Sequence, residues 1–299
     1  MMNNSRKRNK IIKLTAIITT VIFAVVLYWV RHPLGINKLL YNTNFDTSQD
    51  FIKFIDVGQG DCALIYSNGY CGLIDVGLPN TANDISNEIS KYGIDTLDAV
   101  VVSHHHSDHI GGLPEIANNF KIDNLIMPPI LEKGTLAALK GKENAINSGS
   151  AFYEAVQGMN FTIGEFEITV LSDFTDKSNE NNRSLFVMAN INGVKFLFTG
   201  DAERKMETLL LKENLNIDCD ILKVSHHGSN TSSSKQFLNA TTPEYAVISV
   251  GENNTYSHPH SETLNSLKEE TNKIYRTDQN GDITFNIDGK NITVETEHK

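Results

Sequence analysis

From residue 50 onward the apolar positions come in short runs, broken by Asn-Gly, Asp-Gly or polar clusters, which is the punctuation of strands and tight turns. "FIKFIDVG" and "DCALIYS" precede "YCGLIDVG", and Asn68-Gly69 predicts a two-residue hairpin loop between the last two. "TANDISNEISKYG" predicts a helix with Thr81 or Asn83 as its cap and Gly93 as its stop. "LDAVVVS" reads as a buried strand, "NLIMPP" as a strand closed by prolines, and "LEKGTLAALKGKENAI" as a helix with interior glycines. The second half repeats the scheme. "FTIGEFEITVLS" and "SLFVMANINGVKFLFTGD" predict strands, the latter pair turning at Asn192-Gly193. "ERKMETLLLKEN", "SSSKQFLNA" and "SETLNSLKEE" predict helices around the strands "CDILKVS" and "EYAVISVG", and the tail predicts a hairpin at Asp288-Gly289. Two halves that each run from strands to helices predict a layered α/β sandwich.

The start of the chain follows a different pattern. "MMNNSRKRNKIIK" holds five basic residues and no acid, and "LTAIITTVIFAVVLYWV" then runs 17 residues without a charge. The run is apolar all round, and Ile11 and Ile12 lengthen it towards the ~20 residues that span a bilayer, because Lys13 can snorkel. The expected organisation is a cytoplasmic basic tail over 1–13, a transmembrane anchor over 14–31, a connector over 32–49 and an extracytoplasmic domain over 50–299. Charge divides at the same place. Residues 1–31 carry six basic groups and no acidic one, so the remainder has a formal charge of −16 against −10 for the whole chain. Such a domain does not draw nucleic acid by its bulk field, and an anionic substrate would need a local positive centre. Cys62, Cys71 and Cys219 form no CxxC pair, and the hairpin register sets Cys71 opposite Tyr66 and Cys62 opposite Asp75, so they do not predict a disulfide.

Candidate chemistry gathers in "VVSHHHSDHIGG", where four histidines and an aspartate fall within six positions at the end of a buried strand. In an extended stretch His104 and His106 share one side and can grip one ion. Asp108 and His109 lie beyond the turn and can take a second; His105 points away. Imidazole with carboxylate suits zinc, manganese or iron. "FLFTGD" ends a strand with Asp201, either a carboxylate spanning two ions or a cap for the helix that follows. "KVSHH" echoes "VVSHH", so His226 takes the place that His104 has in the first half and is assigned as a ligand, with His227 as the alternative. In "YSHPHSE", His258 and His260 are candidates for substrate contact or proton donation, or are polar loop residues.

These motifs resemble the metallo-β-lactamase superfamily, whose HxHxDH pattern is His104, His106, Asp108 and His109 here. The order of "FIDVGQGDCALI", "VVSHHHSDHIGGL", "FLFTGDAE", "LKVSHHGSNTSS" and "YSHPH" is similar to the extracytoplasmic domain of ComEC-type competence proteins, over roughly residues 50–297. The resemblance implies a four-layer αββα sandwich, here preceded by one N-terminal transmembrane helix, with two divalent metal ions, Zn2+ or Mn2+. It implies His104 and His106 on one ion, Asp108, His109 and His226 on the other, and Asp201 between them. The first site is one imidazole short of the wider superfamily, for "NENNRSLFV" has none where one is expected and Asn181 or Asn182 stands there. A single anchor stands where ComEC proteins carry a multi-span channel, so DNA uptake is not implied. Asp56, Gln59 and Asp61 are expected to shape the rim, and Asp75 to brace the histidine loop.

The chemistry expected is hydrolysis by a metal-bridging hydroxide held by Asp201, with Asp108 as ligand and proton acceptor and His258 as a further catalytic group. The expected function is a membrane-anchored, extracytoplasmic phosphodiesterase or nuclease, with a phosphodiester or DNA as substrate and the membrane as the other partner. The competing readings are a hydrolase of small or cell-wall substrates such as phosphocholine esters or lactams, a non-catalytic metal-binding scaffold, and a metal-dependent oxidoreductase, which would want further ligands.

Overall fold

The apolar runs become strands buried on both faces, so alternate residues of one strand serve two different cores. The computed structural model describes residues 48–130, 134–172 and 179–298, which belong to the unit formed by residues 45–299. The tail over 1–13, the anchor over 14–31 and the connector as far as residue 47 lie outside the described residues. Among those described, no helix is long and apolar enough to cross a membrane.

The first sheet has eight strands, in the order β15 (Asn291–Thr296), β14 (Ile283–Asp288), β1 (Asp50–Phe54), β2 (Ala63–Ser67), β3 (Tyr70–Ile74), β4 (Thr96–Val101), β5 (Lys121–Met127) and β6 (Ala151–Glu154). The second has seven, in the order β13 (Lys273–Arg276), β12 (Tyr245–Ile248), β11 (Ile221–Lys223), β10 (Val194–Phe198), β9 (Phe186–Ile191), β8 (Phe166–Ser172) and β7 (Asn160–Ile163). Helices α1 (Ala82–Lys91), α2 (Ser107–Ile110), α3 (Leu113–Asn119) and α4 (Leu136–Asn147) belong to the first half. Helices α5 (Arg204–Lys212), α6 (Lys235–Thr241), α7 (Ser261–Glu270) and α8 (Thr277–Asn280) belong to the second.

Three apolar layers separate four layers of structure. Ile52, Phe54, Ala99 and Val101 of the first sheet meet Ile168, Phe196 and Val247 of the second. One residue along, Phe51 and Val100 turn outward onto Ile85, Leu113 and Ile116 of the first set of helices. Leu197, Ala246 and Ile248 likewise turn onto Met206, Leu210, Phe237 and Leu267 of the second set. Each of the Val, Leu, Ile, Met and Phe side chains among these contributes ~1.5–3 kcal/mol by leaving water.

Turn chemistry fixes the register. Asn68 (φ 51) and Gly69 (φ 87) pair Ser67 with Tyr70 and Tyr66 with Cys71, and all three cysteines are buried and free. Asn192 and Gly193 repeat the device between β9 and β10. The last hairpin turns one residue later than its Asp-Gly suggests, since Asp288 pairs with Asn291 and Gly289 (φ 60) leads the loop. That is a turn with glycine at its first central position.

Both halves proceed from antiparallel hairpins to parallel strands. β3 to β6 pair in parallel in one sheet and β10 to β13 in the other. Strands β4 and β11 therefore deliver "SHH" segments from the carboxyl ends of parallel strands, where open α/β sheets bind ligands.

Candidate metal centre

The segment after β4 is braced from below. Ser103 donates its N–H to Asp75 Oδ1 at 2.7 Å and its hydroxyl to Asp75 Oδ2 at 2.8 Å, and His109 Nδ1 lies 2.8 Å from Asp75 Oδ2. Asp75 thus orients the imidazole and leaves Nε2 to face the centre, the role expected of it. Past His106 the chain turns into α2, and a Cβ on Gly112 would stand 2.3 Å from the Val76 carbonyl oxygen. The glycine pair is what lets the histidine loop lie against the end of β3. His105 points away, its backbone N–H donating to Glu180 Oε1 at 3.1 Å, and Glu180 also meets Arg183, whose Nη2 donates to the Pro129 carbonyl.

Asp201 sits between two groups. Its Oδ1 lies 3.2 Å from His109 Nε2 and 3.7 Å from His227 Nε2, while its Oδ2 lies 3.8 Å from His104 Nε2. His104 Nε2 is 3.0 Å from His106 Nδ1, and His227 Nε2 is 3.4 Å from Asp108 Oδ2. The ligand-type atoms of Asp108, His109, Asp201 and His227 all fall within 4.8 Å of one another, and so do those of His104, His106 and Asp201. Asp201 does not cap α5, whose N-cap is Glu203.

The geometry corrects the choice between the paired histidines of the second half. His227, not His226, joins Asp108, His109 and Asp201. The echo with "VVSHH" fails because the backbones differ. The chain between β4 and α2 has no residue in the left-handed region, whereas β11 ends at Lys223 and residues 225–228 form a tight turn with His226 (φ 51) and His227 (φ 52) in that region. That turn swings His227 inward, 2 % exposed, with Nδ1 at 2.9 Å from the Ser249 carbonyl oxygen. His226 is left at the cleft wall, its Nε2 at 3.8 Å from Asp201 Oδ2 and 3.4 Å from Asn181 Nδ2.

Beneath His227 lies an ion pair that the letter pattern did not disclose. Lys223 Nζ is 2.8 Å from Asp61 Oδ2, both side chains are buried, and Asp61 Oδ1 is 3.4 Å from His227 Nδ1. Asp61 is therefore a buried support and not part of the rim, although a lysine inside the apolar run "CDILKVS" was a usable signal. Asp61, Asp75 and His109 also cluster, but Lys223 and the imidazole already balance those carboxylates.

The electrostatics are those of a site that attracts cations. Burial alone would lower the His109 and His227 pKa values, yet Asp201 with Asp75 raises the first well above the ordinary range, and Asp201, Asp108 and Asp61 raise the second to about 10. Burial and the neighbouring His109 hold His104 well below it. A field that keeps buried imidazoles charged favours divalent cations still more strongly.

The residues fit such ions. His109 Nε2, His227 Nε2 and Asp201 Oδ1 are buried, face one another and have no hydrogen-bond partner, which is costly for buried polar atoms unless a ligand completes them. His227 and Asp201 open on a cleft of about 280 Å3 whose wall includes His106, Asp108, Asn181, His226, Tyr256 and His258. Asn181 lines the same cleft as His106, its Oδ1 also buried without a hydrogen-bond partner. Burial and the adjacent histidines lower the His258 pKa to about 4, so its ring is neutral at pH 7. His260 instead accepts the Asn230 N–H at 3.0 Å, a structural tie. Gln59 lines the cleft, but Asp56 is exposed and serves the local turn by accepting from Gly58.

Comparison with known proteins agrees with this geometry. The family model described as metallo-beta-lactamase superfamily matches residues 55–252. ComE operon protein 3 of Bacillus subtilis is 30 % identical over 80 % of this chain and 33 % of its own length. Competence protein ComA of Neisseria gonorrhoeae is 33 % identical over 78 % of this chain and 31 % of its own. The chain thus spans about a third of these relatives. Among solved structures, the metallo-beta-lactamase fold protein YhfI of Bacillus subtilis aligns with a TM-score of 0.53 at 12 % identity, covering 76 % of this chain and 95 % of that one. CmlA, a diiron beta-hydroxylase of Streptomyces venezuelae, aligns with a TM-score of 0.55 at 13 % identity over 80 % and 54 %. At those identities the two structures speak for the fold alone.

Proposed function

The chain belongs to the metallo-β-lactamase superfamily, and from that premise we propose that it is a metal-dependent phosphodiesterase, held at a membrane by residues 14–31 with its hydrolase domain outside the cytoplasm. The observation that carries the hydrolytic reading is the convergence of His109 Nε2, His227 Nε2 and Asp201 Oδ1, none with a hydrogen-bond partner, beneath an open cleft lined by Asp201 and His227. Divalent ions bound there would polarise a phosphoryl oxygen and acidify water towards neutral pH.

The chain's own residues divide the work. Asp201 presents one oxygen to each histidine group and so keeps the groups in register. Asp108 is more open to the cleft than its neighbours, with a side chain 28 % exposed, and is placed to accept a proton from attacking water. Neutral His258, across the cleft, can donate a hydrogen bond to the departing oxygen. Asp75 and Asp61 fix the rings from behind. Likeness to a protein named for competence supports a phosphodiester, DNA included, over other substrates.

The acidic domain and a cleft wall without lysine or arginine among the described residues favour a second reading, a hydrolase of small substrates. The full chain, solubilised in mild detergent with zinc or manganese, is tested on DNA, bis(4-nitrophenyl) phosphate and nitrocefin. Hydrolysis of the first two is expected. Turnover of nitrocefin alone would replace the phosphodiester reading, and no turnover with ions bound would favour a scaffold.

A further inference from the structure

The cleft has a second feature that hydrolysis alone does not use. Tyr256 is 63 % exposed at its mouth. Its ring lies nearly parallel to that of His258 (centroids 5.6 Å, 23°), and His258 is nearly parallel to His227 (6.3 Å, 29°). Three rings thus step from solvent down to the centre. His226 stands edge-on to the middle one, at 5.5 Å and 73°.

The loop that carries the outer ring is rigidly built. Asn254 Nδ2 donates to the carbonyl oxygens of Gly251 (3.0 Å) and His258 (2.7 Å), and Asn254 Oδ1 accepts from the N–H groups of Tyr256 (3.2 Å) and His258 (3.0 Å). Gln59 Oε1 accepts the Gly251 N–H at 3.1 Å, and a Cβ on Gly251 would stand 2.7 Å from the Gln59 nitrogen, which closes the loop onto the opposite lip. These bonds order the backbone that carries the ring, and among the described residues the ring stays largely uncovered.

We propose that Tyr256, backed by His258, is a stacking platform for the nucleobase next to the scissile phosphodiester, so that the enzyme selects an unpaired base. Charge argues the same way. Among the described residues no lysine or arginine lines the cleft, so ring stacking is a source of affinity there beyond the centre itself, and every base offers a face to it. A cleft of about 280 Å3 suits one flipped or single-stranded nucleotide and not a duplex. This inference rests on the phosphodiesterase reading, and Tyr256 is a specificity residue outside the reacting groups.

The test uses ligands that a phosphodiesterase does not turn over. Thymidine 5′-monophosphate and 2-deoxyribose 5-phosphate are titrated calorimetrically into the full, metal-loaded chain. The nucleotide is expected to bind about tenfold more tightly. Tyr256→Leu should bring the ratio close to one and Tyr256→Phe should preserve it, with the melting temperature unchanged in both. Equal affinities in the wild type, or an unaltered ratio in Tyr256→Leu, overturns the platform. Hydrolysis of bis(4-nitrophenyl) phosphate is followed alongside. Turnover without a base preference sinks the platform and spares the phosphodiesterase, whereas a base preference without turnover of any phosphodiester does the reverse.

Discussion

The segments "VVSHH" and "KVSHH" share four of five letters and a place in the fold, yet they present different histidines. Between β4 and α2 no residue is left-handed, and the first histidine of the pair, His104, faces Asp201 while His105 turns to Glu180. After β11 two successive left-handed residues reverse the order, so the second, His227, enters the centre and His226 stays at the wall. An echo in sequence therefore carries over the position of an element but not the direction of a side chain, which the sign of φ decides. The supports differ as well. The first half braces His109 with Asp75 and hydroxyl and amide donors, and the second supports His227 with a buried ion pair.

That contrast can be broken at its support first. Lys223→Met leaves Asp61 buried without its cation, which should cost about 3–5 kcal/mol of stability, read as the fall in denaturant midpoint. Asp75→Asn keeps the shape and one accepting oxygen for Ser103 and buries no uncompensated charge, so it should cost markedly less. A Lys223→Met chain as stable as wild type would show that the pair is not a support.

The histidine order is sharpened next. His227→Ala should lower phosphodiester turnover by more than about 100-fold, beyond the loss usual for outer partners of a metal ligand, while His226→Ala should cost less than about tenfold. Equal losses would erase the distinction drawn from the two turns. On the first side, Asp75→Asn should weaken metal binding by about 10–100-fold, as measured by chelator competition, because His109 loses the acceptor that sets its tautomer.

The smallest effect concerns pH. The lowered pKa of His258, about 4, means that its ring gains a proton only well below neutrality. Between pH 5.5 and 8 the rate profile of His258→Gln should therefore keep the wild-type shape at a several-fold lower rate. Loss of a limb near pH 6.5 in the variant would mean that His258 titrates in the ordinary range and acts as a charged acid.

Much of this was open to a reader of the letters. HxHxDH and Asp201 end strands whose unbroken apolar runs announce burial on both faces, so their meeting at one edge follows from the repeated strand-to-helix order. The Asn68-Gly69 loop fixed its register for a local reason, since both residues tolerate positive φ. Other features depend on partners distant in the chain. Asp61 meets Lys223 only when two sheets pack, and nothing near "GQGDC" reveals a carboxylate that ends up 5 % exposed. Short elements also escaped. The half-buried edge strand β13, "KIYR", lacks a contiguous apolar run, and α2 and α3 are too brief for periodicity to appear.

The most direct measurement is the number of divalent ions held per chain, by elemental analysis after dialysis against zinc or manganese. Two are expected in the wild type and in His226→Ala, and one in His227→Ala, since only His227 stands with Asp108, His109 and Asp201. Two ions retained by His227→Ala with one lost from His226→Ala, or none bound by the wild type, would contradict the centre as drawn.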